Sequence, residues 1–332
     1  MTTLPTRPLG LTGMNITTIG LGTWAVGGGG GRAFALGTQD DSDSIATIRR
    51  AVELGINWVD TAPLYGFGHS EEIVGQALSV FSAEERPFVF TKAGRKADPA
   101  DTSKPPFAVL DERSIREELE VSLRRLGAER IDLYLIHAPA ADGQGVEEYW
   151  NVLAALRQEG KVRAIGLSNH SVPQLEAAEA ITHVEAIQPP LSAIKDEAVA
   201  DLLPWCESHR TGVIVYSPMG GGLLAGEVTR EVALNLAPND WRRTNPIFSV
   251  GLDRSLRIAD AVRAVAAEHG VSMPAVAIAW ALAQPAVSGA ILGGRRPEQI
   301  PDWFEAARVQ LTADDFARIA AAAAESPAAP AV

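Results

Sequence analysis

Eight short apolar, β-branched segments alternate with longer amphipathic ones along this chain, and no other feature restricts the fold as much. The strand segments are Thr18–Leu21, Asn57–Asp60, Phe88–Thr91, Leu133–His137, Ala164–Leu167, Ala186–Gln188, Gly212–Tyr216 and Gly289–Leu292. Helical patterns lie near Ser42–Leu54, Glu71–Leu78, Ser114–Leu126, Tyr149–Gln158, Pro173–Ala180, Ala198–His209, Pro274–Ala283 and Pro297–Ala307. Strands that alternate with helices call for a parallel sheet with helical crossovers. Eight such units within 332 residues favour a closed (β/α)8 TIM barrel over an open sheet.

No Gly-, Ser- or Pro-rich linker divides the chain, so residues 1–332 are read as one domain. Residues 1–18 carry Gly10 and Gly13 and are expected to form a small hairpin ahead of the first barrel strand. Long loops at 93–110 and 219–253 are expected on the C-terminal face, where such loops shape specificity. The tail, 320–332, is mostly alanine and proline and is expected to fray into disorder. Within Ser114–Leu126, the residues Ile115, Leu119, Leu123 and Leu126 recur at helical spacing, and Gly127 is placed to end that helix. Ser70, ahead of Glu71 and Glu72, reads as a helix start.

With 46% hydrophobic and 21% charged residues, a large core is feasible. The formal charge of −12 disfavours non-specific nucleic-acid binding. The only cysteine, Cys206, leaves no intrachain disulfide and suits a reducing cytosol. The N-terminus has no apolar signal core, and the most apolar stretch, Ala275–Ala283, is too short to span a bilayer. A cytoplasmic protein with no membrane or nucleic-acid partner is expected; an oligomeric or regulatory partner is not readable.

Two signals are set aside. Gly20, Gly22 and Ala25 fit a dinucleotide fingerprint, with Asp40 and Asp41 about twenty residues on. A Rossmann turn opens straight into a helix, whereas here Gly27–Gly31 follow, a run that reads as a flexible loop at a pocket rim. The histidines, His69, His137, His170, His183, His209 and His269, lack metal-ligand spacing, so no metal site is expected.

Four polar residues stand at or just beyond the ends of successive strand segments, where catalytic groups of a βα barrel collect. Asp60 and Tyr65 belong to Asp60-Thr61-Ala62-Pro63-Leu64-Tyr65-Gly66; Lys92 follows Phe88–Thr91; His137 ends Leu133–His137. A carbonyl accepts hydride more readily when its oxygen receives a proton. Tyrosine can supply one, although a pKa of about 10 makes it a slow acid near neutrality. An adjacent ammonium is expected to lower that value, with Asp60 holding Lys92 charged and His137 orienting the oxygen in an oxyanion site. Schiff-base chemistry on Lys92 is the competing reading, but it needs a neutral amine, which Asp60 opposes.

These motifs, together with Gly20-Leu21-Gly22-Thr23-Trp24, Gly166-Leu167-Ser168-Asn169, Tyr216-Ser217-Pro218-Met219 and Gly293-Gly294-Arg295-Arg296-Pro297-Glu298-Gln299, make the chain resemble the aldo-keto reductase family. The pattern is nearest to bacterial general-stress reductases and the branch resembling potassium-channel β-subunits. The resemblance implies a barrel that binds NADP(H) without a Rossmann fold and reduces a small-molecule carbonyl. It gives Asp60, Tyr65, Lys92 and His137 as the catalytic tetrad, with Tyr65 the general acid. Ser168, Asn169 and Gln188 match residues that hold the nicotinamide carboxamide, and Tyr216 matches the ring that stacks on it. Gly22, Thr23 and Trp24 match the first-strand segment beside it. Ser217, Pro218, Met219, Gly220, Leu223 and Gly226 match the pyrophosphate loop. Gly293, Arg295, Arg296, Gln299 and Asp302 match the adenosine end. Trp24, Leu64, Phe67, Trp241 and Phe248 are candidates for the substrate pocket. Three positions depart from the family pattern: Ala138 follows the histidine, Gln299 stands where arginine is frequent, and Trp303 where asparagine is. The guanidinium for a 2′-phosphate then falls to Arg295 or Arg296, which favours NADP over NAD. A regulatory NADP(H)-binding subunit with weak turnover is the alternative function, because channel β-subunits keep the same four residues.

Overall fold

The computed structural model describes residues 4–29, 34–140, 143–237 and 240–324. An antiparallel pair, β1 (Thr6–Pro8) and β2 (Asn15–Thr17), precedes the barrel. The barrel strands are β3 (Ile19–Gly22), β4 (Trp58–Asp60) and β5 (Phe88–Ala93), then, after a small antiparallel ribbon of β6 (Arg95–Lys96) and β7 (Phe107–Ala108), β8 (Ile131–Ile136), β9 (Val162–Ser168), β10 (Ala186–Gln188), β11 (Gly212–Tyr216) and β12 (Val287–Gly293). All eight pair in parallel, and β12 closes on β3. Each segment expected as a strand is one, with ends shifted by two residues or fewer.

The helices between barrel strands are α1 (Asp41–Glu53), α2 (His69–Leu78), α3 (Glu112–Leu126), α4 (Val146–Gln158), α5 (Val172–Glu179), α6 (Leu202–His209), α7 (Arg230–Leu234), α8 (Leu252–His269) and α9 (Met273–Leu282), and α10 (Trp303–Ala306) and α11 (Ala313–Ala324) follow the last strand. Helix α3 starts where Asp111 accepts from the Ser114 amide and stops at Gly127, whose φ of 58° is left-handed; both are ordinary helix-end chemistry.

Several expectations are corrected. Ser70 does not cap α2; it lies inside the helix, and its hydroxyl donates to Thr23, 2.7 Å away. The expected Pro297–Ala307 helix is a 3-10 turn, Pro297–Gln299, followed by α10, because Pro301 offers no amide hydrogen between them. The expected Ala198–His209 helix likewise divides, with Asp201 capping α6. The longest helix, α8, occupies a stretch with no sequence assignment. Its buried Leu252, Ser255, Ile258, Ala259, Val262, Val265 and Ala266 nevertheless recur at helical spacing, and Gly270 ends it with φ 64°. Loop 219–253 is not structureless: it holds α7 and three 3-10 turns. Residues 320–324 finish α11, and residues 325–332 of the expected tail lie outside the described residues. Among the described residues no single helix is long and apolar enough to cross a membrane.

The barrel interior is a plug of Trp58, Phe90, Leu133, Leu135, Ala164, Ala186 and Ile214, joined from the hairpin by Leu9, Met14 and Ile16. Trp58 fills so much of it that a Cβ on Gly20 would lie 2.1 Å from its ring. The indole nitrogen donates to the Thr17 carbonyl at 2.8 Å. The larger apolar core lies between the outer face of the barrel and the helices.

Candidate active site

Side chains alternate across a strand, so the residue two beyond an inward-facing one also faces inward, one pleat higher. Trp58 is followed by Asp60, Phe90 by Lys92, Leu135 by His137, Ala186 by Gln188 and Ile214 by Tyr216. The apolar plug therefore ends in a layer of polar groups at the C-terminal end of the barrel. Five residues from distant parts of the chain converge there because five strands share one period.

Lys92 is fully buried. Its Nζ donates to Asp60 Oδ1 at 2.5 Å and to the Thr61 carbonyl at 2.9 Å. Nζ also sits 5.3 Å from the centre of the Tyr65 ring. The other carboxylate oxygen of Asp60 accepts from Gln188 Nε2 at 2.8 Å. Burial opposes a charge on Lys92, but Asp60 and the phenol outweigh it and raise the lysine pKa above its ordinary value. For Tyr65 the net direction is upward: burial dominates and Lys92 offsets it only in part. The sequence argument anticipated a lowered phenol, and the desolvation of the site reverses that expectation. His137 stands edge-on to Tyr65 with ring centres 5.8 Å apart. Burial, then the charges of Lys92 and Arg95, push it well below the usual imidazole value, so it is neutral at physiological pH.

Tyr65 is not on a strand; it opens a 3-10 turn, Tyr65–Gly68, that leads into α2. The turn is locked by a close backbone approach. Gly66 has φ 59°, and a Cβ there would lie 2.0 Å from the Gly27 carbonyl oxygen, so neither neighbour tolerates a larger residue at Gly66. Gly27, Gly28 and Gly29 are buried, and a Cβ on Gly29 would strike Asp41 and His69. The expected flexible rim is thus, over Gly27–Gly29, packed backbone; Gly30 and Gly31 lie outside the described residues.

On the side facing β9 to β12, Tyr216 donates to Asn169 Oδ1 at 2.7 Å, and burial pushes its pKa up to about 12. Asn169 Nδ2 donates to the His137 carbonyl at 3.0 Å and to Ser168 Oγ at 3.1 Å. The Ser168 hydroxyl donates to the Gln188 carbonyl at 2.9 Å. Asn169 and Ser217 hold left-handed backbones, φ 64° and 57°, and both are exposed at the mouth. Thr23 and Gly22 are buried; the Thr23 hydroxyl is committed to the Asp60 carbonyl at 3.0 Å. Beyond Ser217, Pro218 and Leu223 are buried, Met219 is half-buried, and Gly220 turns with φ 58°. Gly226 also has a packing reason to be small, since a Cβ would sit 3.1 Å from Met273 Sδ.

Arg295 is engaged: Nε donates to Gln39 Oε1 at 2.8 Å, a second nitrogen meets the Thr38 carbonyl, and Gln39 Nε2 returns a bond to the Arg295 carbonyl at 2.7 Å. Gln299 Oε1 accepts from the Arg295 and Arg296 amides at 2.8 and 3.1 Å, so it shapes the turn. The Arg296 and Asp302 side chains and Gly293 are exposed, whereas Trp303 is buried under Gly294.

Three of the aromatics expected at a substrate pocket meet. Trp24 and Trp241 lie edge to face at 5.7 Å, and Trp241 and Phe248 at 6.2 Å. Phe67 instead packs on Phe34 at 5.6 Å. The Phe34 carbonyl also accepts from the Trp24 indole at 3.0 Å. Leu64 is buried beside Tyr65. Neither Phe34 nor Arg95 was anticipated; Arg95, three residues beyond Lys92, is a signal that was available in the strand-end pattern.

The Aldo/keto reductase family model matches residues 18–324. The chain is 34% identical over 307 residues to aldo-keto reductase YhdN of Bacillus subtilis (strain 168), covering 92% of this chain and 89% of that one. It is 34% identical over 319 residues to the NADH-specific methylglyoxal reductase of Escherichia coli (strain K12), covering 93% and 95%. The glycerol dehydrogenase AKR11B4 from Gluconobacter oxydans superposes with a TM-score of 0.85 at 33% identity, covering 98% of each chain. A parallel eight-stranded barrel, a polar layer at its C-terminal end and these matches make one statement: the chain belongs to the aldo/keto reductase family.

Proposed function

We propose that the protein reduces an aldehyde or ketone to an alcohol with a nicotinamide dinucleotide, NADP(H) in preference to NAD(H), as one catalytic domain. The observation that carries this reading is the buried ammonium of Lys92, held by Asp60 and set beside the Tyr65 ring.

The donor chemistry suits the dinucleotide. Asn169 and Tyr216 present amide and ring at the mouth, with the Ser168 hydroxyl buried behind them, and Gly220, Gly221 and Gly222 turn a backbone loop with φ 58°, 65° and 102°. Arg295 and Arg296 add two guanidiniums beyond the end of the neighbouring strand, β12. The bound nicotinamide supplies hydride. Tyr65 gives its hydroxyl proton to the carbonyl oxygen as negative charge develops there. Lys92 stabilises the phenolate left behind, Asp60 keeps Lys92 charged, and neutral His137 orients the substrate oxygen. The aromatic group of Trp24, Trp241 and Phe248 shields one side of the mouth.

The names of the relatives, a methylglyoxal reductase and a glycerol dehydrogenase, support a small oxygenated substrate. The test is absorbance loss at the nicotinamide band with a panel of aldehydes, run in parallel with NADPH and NADH. Turnover with a higher kcat/KM for NADPH supports the full reading. A preference for NADH overturns the cofactor assignment, and tight binding of either cofactor without turnover overturns the activity.

A further inference from the structure

Arg95 belongs to none of the expected sites, yet the fold delivers it to the mouth. The chain leaves β5 through Gly94, whose φ is 83°, and forms the ribbon in which Arg95 pairs with Ala108 and Lys96 with Phe107. The Lys96 ammonium lies 3.7 Å from Glu118 on α3, outside the barrel. Adjacent strand residues point to opposite faces, so Arg95 points away from α3. Its charge contributes to the pKa directions of Tyr65, His137 and Tyr216, as the smallest contribution to each after burial and nearer groups.

The charges there do not balance. Asp60 and Lys92 neutralise one another, and His137 is neutral. Arg95 is half-buried, and among the described residues no carboxylate is paired with it. One positive charge is left on the side of the ribbon turned away from α3. The cofactor phosphates do not account for it, because the loop assigned to them follows β11, four strands from β5 and so diametrically across the eight-stranded ring.

We propose that Arg95 is a specificity-determining residue that selects carbonyl substrates bearing a carboxylate. The proposal rests on the reading of the site as a carbonyl reductase. A guanidinium offers a carboxylate two parallel donors in a fixed geometry, and a partly desolvated one does so with little competition from water.

A matched pair of substrates tests it: 4-oxobutanoate and butanal, equal in chain length and differing in one negative charge. The wild-type holoenzyme should show a higher kcat/KM for 4-oxobutanoate. In Arg95→Gln the ratio of the two kcat/KM values should fall about tenfold or more, the scale of one charge-assisted hydrogen bond, with most of the change in KM. Arg95→Lys should keep part of the ratio. Should Arg95→Gln fold poorly, the wild-type ratio measured against rising salt replaces it: screening should lower kcat/KM for the anion and spare butanal. Turnover of butanal without any advantage for the anion, or an equal loss for both substrates in Arg95→Gln, overturns the proposal while the reductase reading stands. Turnover of neither substrate nor of any other aldehyde removes the reading beneath it as well.

Discussion

Gln188 Nε2 is bonded to Asp60 Oδ2 at 2.8 Å, on the carboxylate oxygen that Lys92 leaves free. One face of the acid is thus occupied by a cation and the other by a neutral amide. The resemblance placed Gln188 among groups that hold the nicotinamide carboxamide. In the fold its amide nitrogen donates to Asp60, so it also bears on Lys92 through Asp60.

Gln188→Leu should therefore leave a buried carboxylate oxygen without a donor. The expected cost is about 1–3 kcal/mol of stability, read by urea denaturation, with a fall in kcat as Asp60 loses its fixed position. An unchanged midpoint would show the bond to be dispensable.

Lys92 and Asp60 are 0% and 2% exposed. Removing one partner of a buried pair strands the other, so Lys92→Met should destabilise by about 3–5 kcal/mol. The double variant Lys92→Met with Asp60→Asn should recover much of that loss. Activity should not return, because the phenol still lacks its cation. Denaturation midpoints and single-turnover rates separate these two outcomes.

Tyr65→Phe deletes only a hydroxyl. Carbonyl reduction should fall by about 100- to 10,000-fold, the usual worth of general acid catalysis. Cofactor affinity, followed by quenching of protein fluorescence, should change little, since the ring lies with Lys92 and His137 and not at the Pro297–Gln299 turn proposed for the adenosine end.

Tyr65 is raised above its ordinary pKa of 10. The protonated phenol is the species needed for reduction, so in the free enzyme kcat/KM should hold across neutral pH and fall only as pH climbs past that raised value. Alcohol oxidation needs the phenolate and should rise with pH over the same range. A reduction rate that drops between pH 7 and 9 with neutral substrates would contradict this.

His170 responds in the opposite window. It bonds the Tyr149 hydroxyl at 2.9 Å and the Ser168 carbonyl at 2.8 Å, and burial lowers its pKa to about 4. The unfolded state takes up the proton first as pH falls. Stability is therefore intact above the ordinary value of 6.5 and is lost progressively down to about 4, at about 1.4 kcal/mol per unit. His137, lowered for similar reasons, adds to the same slope. Thermal midpoints across pH 4–7 should show the decline, and His170→Gln should flatten it.

The barrel and its polar layer were legible because they rest on local periods. Asp60, Lys92 and His137 each follow an apolar strand at a step of two, and that step is written in the sequence. Helix α8 was missed although Ile258, Val262, Val265 and Ala266 carry the helical repeat; the loop assigned up to residue 253 covered its start. Tyr65 is a different case. Its place depends on Gly66 passing against Gly27, an approach between segments 39 residues apart that no local pattern encodes.

The sequence by itself determined which residues face the barrel interior and at what height, because strand alternation is a property of neighbouring residues. Only the tertiary structure decided how their polar atoms are spent. Gln188 meets Asp60 across 128 positions and Gln39 meets Arg295 across 256, while Arg95 meets no carboxylate among the described residues. Hydrogen bonding and charge balance are settled between strands remote in the chain. A residue's chemistry can be read in order along the sequence, but its partners are known only once the ring of strands has closed.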